Sequence, residues 1–212
     1  MPSRRSRISG IPATDINSPG TSDVTIIPGA SLIAVPWKNG GGITREIAAG
    51  PPGASLDAFA WRLSVADVSS DGAFSAFTGV DRALVLLDGA GMLLAEAGGR
   101  EHRLDEPLAM ARFAGETPIH ASLIDGPTRD FNVMVRRDRA RMSVSVRRAG
   151  RHELAQEHES TFAYCASGSL NIASADGTRA MLYPGDTARI ERNCIVEAAG
   201  DAAWLCIGIE ER

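Results

Sequence analysis

Cysteine, histidine and tyrosine are all scarce in this chain. Its 212 residues hold three cysteines, Cys165, Cys194 and Cys206, and no Cys-x-x-Cys pair. An odd count without paired spacing excludes a disulfide framework. Cys165 and Cys206 sit in apolar runs and read as buried thiols of a cytoplasmic protein. No apolar run approaches the roughly 20 residues that cross a bilayer, so no membrane partner is expected. The opening residues carry arginines but no apolar stretch, and so do not read as a secretory signal. Their Ser, Pro, Gly and Arg content predicts a flexible tail over residues 1–23. An excess of positive charge is missing too. The formal net charge is -4, which argues against a nucleic-acid partner. The arginine-rich segment 135–148 alternates with serines and reads as a solvated strand face. The two tyrosines, Tyr164 and Tyr183, both lie in the second half.

What is present is a period of two. Segments such as Trp61–Val68 (WRLSVADV), GMLLAE, FNVMV, TFAYC and SLNIA are short and apolar or alternating, with Gly, Pro or Asp between them. Many short strands at this spacing predict an all-β sandwich or barrel. The stretch 151–160 is the one with helical character, a single turn or a loop. The halves also echo each other. Gly91 matches Gly168, Leu93 matches Leu170, and Gly115-Glu116-Thr117 matches Gly185-Asp186-Thr187. The expected fold is therefore a duplicated jelly roll, a bicupin of the RmlC-like cupin barrel type. The expected division is a first unit over 24–137 and a smaller second unit over 138–212.

Metal-holding cupins place two histidines one residue apart, because alternate strand residues point into the same cup. This chain has His102, His120, His152 and His158 and no such pair. Surface or loop positions account for all four. His152 and His158 with Glu153 or Glu157 offer only an unspecific loop spacing. No metal, no cofactor and no catalytic residue are assigned.

The most informative stretch is Val35–Ile47, VPWKNGGGITREI. Asn39-Gly40 is a hairpin signal, since both residues tolerate positive φ. It predicts a hairpin between 31–35 and 43–48, with Trp37 packing. A turn does not require three glycines. Gly40, Gly41 and Gly42 would also leave backbone amides open to a ligand. Ile43, Arg45 and Ile47 share one strand face, and Arg62, Ser64 and Ala66 share another, opposite Trp61, Leu63 and Val65. Asn132 shares a face with Met134. An unpaired arginine inside a small barrel costs on the order of several kcal/mol. It needs Glu46, Asp67, Asp130 or a ligand beside it. Lys38, Arg45 and Arg62 near the glycines point to an anion-accepting pocket.

PWKNGGGITREI, residues 59–89 and RDFNVMVRR (129–137) resemble the signature of the HutD/Ves family, in the right order over most of the first half. The family pattern has Gly-Pro-Phe-Ser where this chain has Gly72-Ala73-Phe74-Ser75. The resemblance implies a bicupin without a metal centre, linked to histidine utilisation or stress response in bacteria. It implies binding of a small carboxylate, with formylglutamate or urocanate as candidates, and regulation of a catabolic pathway. In this reading Arg45 or Arg62 forks onto the carboxylate, and Asn39 with the Gly40–Gly42 amides holds a second polar group. Trp37 with Phe74 or Phe77 covers the apolar part, while Asp130 and Asn132 complete the site. An isomerase or hydrolase is the alternative, weakened by the lack of a histidine base in the recognised stretches. Exposed strand edges admit a homodimer.

Overall fold

The computed structural model describes residues 23–155 and 157–212. The expected tail lies outside them except for Asp23. Among the described residues the structure is all-β apart from one 3-10 turn, Gly29–Ser31. The strands are β1 (Val24–Ile27), β2 (Ala34–Pro36), β3 (Gly42–Gly50), β4 (Trp61–Val68), β5 (Gly72–Ala73) and β6 (Val80–Asp88). Next come β7 (Met92–Glu96), β8 (Glu101–Leu104), β9 (Met110–Ala114), β10 (Ile119–Leu123) and β11 (Thr128–Arg136). The second half holds β12 (Ala140–Leu154), β13 (Ser160–Ser167), β14 (Leu170–Ser174), β15 (Arg179–Leu182), β16 (Thr187–Ile190) and β17 (Cys194–Glu211).

They form three sheets. One has the order β2-β3-β4-β11-β6-β9, a second the order β5-β10-β7-β8. The third runs β1-β16-β13-β17-β14-β15, with β12 also on β17. Alternation explains the layering, because odd and even residues of a strand face opposite sides. The inward residues Val68, Leu84, Leu86 and Phe113 of the six-stranded sheet pack on Met92, Leu94, Leu104 and Ile119 of the four-stranded one. The opposite face carries Trp61, Leu63, Val65, Phe131 and Val133, which meet Phe162, Tyr164, Leu205 and Ile207 of the seven-stranded sheet. Trp61 and Phe162 lie 5.4 Å apart by ring centroid, and Phe131 and Tyr164 lie 4.8 Å apart. The seven-stranded sheet folds over its own core of Leu170, Ile172, Leu182, Ile190 and Trp204.

Three expectations change on contact with the structure. β1 opens the expected first unit but pairs with β16, so residues 24–27 sit in the C-terminal sheet. Arg151–Leu154 are the end of β12 rather than a helical turn, because β17 is long enough to pair with them, Arg151 facing Glu197. The turn matching Gly185 is not at Gly115. Gly185 N donates to Cys165 O and Cys165 N to Asp186 O; Leu108 N donates to Leu86 O and Leu86 N to Ala109 O in the same pattern. Leu108 holds this place with φ 66, where Gly185 has φ 96. A buried leucine in the left-handed region hides the correspondence from any glycine match.

Candidate functional site

β4, β11 and β6 are neighbours, so their inward residues form rows. Arg62, Met134 and Arg82 share one row, Ser64, Asn132 and Leu84 the next, then Ala66 and Asp130. These rows floor a cavity of about 1110 Å³. Trp37, Lys38 and Asn39 line it from the turn after β2, and Phe74, Ser75 and Phe77 from the segment after β5. Ile33, Val35 and Leu56 form an apolar mouth and are largely exposed.

Arg62 is anchored. Its Nε donates to Glu46 Oε2 at 2.7 Å and its Nη1 to Ser64 Oγ at 3.3 Å. Arg82 is not anchored in this way. It is only 7% exposed, and its Nε makes one long bond, 3.4 Å, to Asn132 Oδ1. Its guanidinium carbon stands 5.1 Å from the ring centroids of Phe74 and Phe113 and 5.8 Å from that of Phe77. Among the described residues no carboxylate pairs with it directly. Burial pulls its pKa down to about 10, partly offset by the charge of Asp130. Asp130 is 2% exposed, and burial pushes its carboxyl up to about 7 against the pull of Arg82. No described residue donates a hydrogen bond to it. A buried guanidinium without a bonded anion is costly and marks a place for one.

The structure therefore brings Trp37, Lys38, Asn39, Arg62, Phe74, Phe77, Asp130 and Asn132 to one cavity. It does not bring Arg45 there. Arg45 follows the alternation of Ile43 and Ile47 onto the other face of β3, where Nη1 donates to Asp67 Oδ2 at 2.7 Å. Arg129 Nε reaches the same carboxylate at 2.5 Å. These bonds, Arg129 first, hold Asp67 below the ordinary carboxylate range despite partial burial. Nor do Gly40, Gly41 and Gly42 line the cavity. The Gly40 amide donates to Trp37 O at 3.0 Å, and the Gly41 amide to Asn39 Oδ1 at 3.1 Å. The hairpin itself is as expected, with Ala34 opposite Arg45.

The glycines have local work. Gly40 has φ 74. A Cβ on Gly42 would stand 2.4 Å from the Asp67 carbonyl oxygen and 3.1 Å from the Trp37 ring. Gly42 thus lets Trp37 lie against β3, where its Nε1 donates to Thr44 Oγ1 at 2.7 Å. Gly42→Ala should cost roughly 1–3 kcal/mol through overpacking. Urea unfolding measures it, and an unchanged midpoint would rule out the close approach.

Among the described residues, no three His, Cys, Asp or Glu side chains gather so as to hold a metal ion. His102 is not a surface or loop residue. It lies on β8, largely buried, and contacts Glu96 Oε1 at 2.6 Å. His120 is exposed on β10, a surface position as expected, and His152 lies partly buried on β12. Burial pushes the Cys165 and Cys194 thiols up to about 11, so neither is poised as a nucleophile. Among the described residues no helix is long and apolar enough to cross a membrane.

The HutD family profile matches residues 30–206. An uncharacterised 21.2 kDa protein from the hutC 3′ region of Pseudomonas putida is 35% identical over 161 residues, 75% of this chain and 82% of that protein. Protein Ves of Cronobacter sakazakii is 46% identical over 111 residues, 52% of this chain and 59% of Ves. The solved structure of HutD from Pseudomonas fluorescens SBW25, in a formate condition, superposes with a TM-score of 0.78 at 26% identity, covering 89% of this chain and 99% of that one. A cupin 2 conserved barrel domain protein from Leptotrichia buccalis gives 0.59 at 10% identity, covering 88% and 96%, a likeness of fold alone.

Proposed function

Because this chain belongs to the HutD family, we propose that it is a cytoplasmic, metal-independent receptor for a small carboxylate metabolite, modulating a catabolic pathway such as histidine utilisation. The single observation that carries this reading is the Arg82 guanidinium, buried at the floor of a cavity with no carboxylate among the described residues bonded to it. Arg62 stands in the same row, so two cations can flank one anion. A carboxylate there would fork onto Arg82, with Arg62 adding charge. Phe74, Phe77 and Trp37 would cover its apolar part. The pathway rests on the description of the Pseudomonas putida relative by its place beside hutC. Formylglutamate and urocanate are the candidates it suggests.

The cup belongs to a proposed duplicated jelly roll, with units near 24–137 and 138–212 except that β1 joins the sheet of the second. The recurring strand pairs support it. β6 pairs with β9 and β11 as β13 does with β16 and β17; β7 pairs with β8 and β10 as β14 does with β15 and β17.

A thermal-shift screen of small carboxylates tests the reading, since a ligand bound only to the folded state raises the apparent melting point by mass action. At a hundred times Kd the gain is about 2.7 kcal/mol. If every carboxylate leaves the melting point where it was, the receptor reading fails. The enzyme reading draws on Asp130, a carboxyl close to neutrality at the cavity floor. Product analysis after incubation with pathway intermediates separates the two, because a receptor binds saturably and converts nothing.

A further inference from the structure

We propose that the cavity takes its anion together with one proton. A carboxylate settles on Arg82, Asp130 in the same cavity becomes a neutral acid, and the new hydroxyl donates to an uncharged oxygen of the same ligand. The ligand class is then a carboxylate bearing a neighbouring carbonyl or amide oxygen. This inference rests on the receptor reading above.

The argument starts from which charges are already satisfied. Arg62, on β4, is bonded to Glu46 on β3. Lys38 stands on the turn at the mouth. Asp67 lies on the other face of β4, bonded to Arg45 and Arg129, and adds negative potential at Asp130. The segment after β5 contributes only Phe74, Ser75 and Phe77 to the lining, with Ala73 from β5, and none of these titrates. Among the described residues, Arg82 is the buried cation of this cavity with no carboxylate of its own, and its charge favours ionised Asp130. It acts through space, since no bond joins them among the described residues.

A carboxylate on Arg82 removes that support in two ways. It neutralises the guanidinium and brings a like charge into the same buried space. Two carboxylates confined together cannot both stay ionised, and the buried one takes a proton. Asp130 already sits near neutrality through burial, so little is needed to tip it. As a neutral acid it becomes a donor. Asp130 lines the space the ligand fills, so the proposal assigns the acceptor to the ligand.

The experiment is titration calorimetry of the full chain with N-formylglutamate and with glutarate, which lacks the extra acceptor. At pH 8.5, in two buffers of different ionisation enthalpy, the observed enthalpies should differ by close to one buffer ionisation per ligand bound. Above neutrality the Kd should rise close to tenfold per pH unit, because only the protonated fraction is competent. Glutarate should bind about tenfold more weakly, having lost one hydrogen bond. In D130N both the buffer dependence and the pH slope should vanish while binding persists. Buffer-independent enthalpies with a flat Kd from pH 6.5 to 8.5 would overturn the inference and leave the receptor intact. So would proton uptake that survives in D130N. Failure of both compounds to bind at any pH would instead remove the receptor reading, and this inference with it.

Discussion

Arg82→Met is expected to weaken carboxylate binding by roughly 2–5 kcal/mol, the usual range for truncating one partner of a desolvated charge pair. That corresponds to a loss of about thirty- to several-thousand-fold in affinity. The same substitution should leave the unliganded protein at least as stable as before. Arg82 is held by one long hydrogen bond and the faces of Phe74, Phe77 and Phe113, so its burial is poorly compensated. Replacing an uncompensated buried charge by an apolar side chain of similar length is often neutral or stabilising. Binding by calorimetry and stability by urea unfolding should therefore move in opposite directions. A residue that merely supports the fold would lose both together. A variant that keeps wild-type affinity for the carboxylate giving the largest thermal shift would remove Arg82 from the site.

The second large effect is at Asp130, and it is one of stability against pH. Its carboxyl is raised from the ordinary 3.8 to about 7, by burial first, with Asp67 adding and Arg82 opposing. Between those values the folded protein holds a proton that the unfolded chain has released. Stability from this group is therefore complete below about pH 4 and is lost as pH rises through neutrality, with no further change above. The difference corresponds to about 4 kcal/mol at most. Asp130→Asn keeps the shape and removes the titration. Its advantage over wild type should be small at pH 4, grow to roughly 2–4 kcal/mol by pH 8 and then level off. Urea midpoints at four pH values measure this directly. Asp67, depressed by Arg129 and Arg45, acts in the opposite sense and is present in both proteins, so most of its effect drops out of the comparison. A difference that stays constant with pH would show that Asp130 titrates normally in the fold.

Much of this architecture can be read from alternation. WRLSVADV is β4 residue for residue, and its pattern puts Arg62, Ser64 and Ala66 on the cavity side. Asn132 and Met134 follow the same logic on β11. Arg45 obeyed alternation too, sharing its face with two isoleucines. Nearness to the glycines in sequence is a weaker guide than that pattern, and Arg45 belongs with Asp67 on the far face. Arg82 was legible by the same rule, since Arg82, Leu84 and Leu86 alternate with Ala83 and Val85. Both sets are apolar around it, so one arginine on a buried face carried no flag of its own. What alternation does not carry is partner choice. Nothing in VTII says that β1 joins the C-terminal sheet, because pairing between distant strands depends on which edges remain open. The glycines illustrate a further limit. Gly42 answers to a neighbouring ring and a carbonyl oxygen, a demand visible only once β3, β4 and Trp37 are assembled.

β11 is one strand with two employers. Asp130, Asn132 and Met134 look into the cup, while Phe131, Val133 and Val135 are wedged into the seam between the halves. Gaining or losing a single residue midway would trade these sets, driving phenylalanine into the cup and aspartate into the seam. Relatives can thus diverge here by swapping one side chain for another but not by altering the reading frame of the strand. Single substitutions can therefore retune either face alone, whereas a slip of register disturbs both at once.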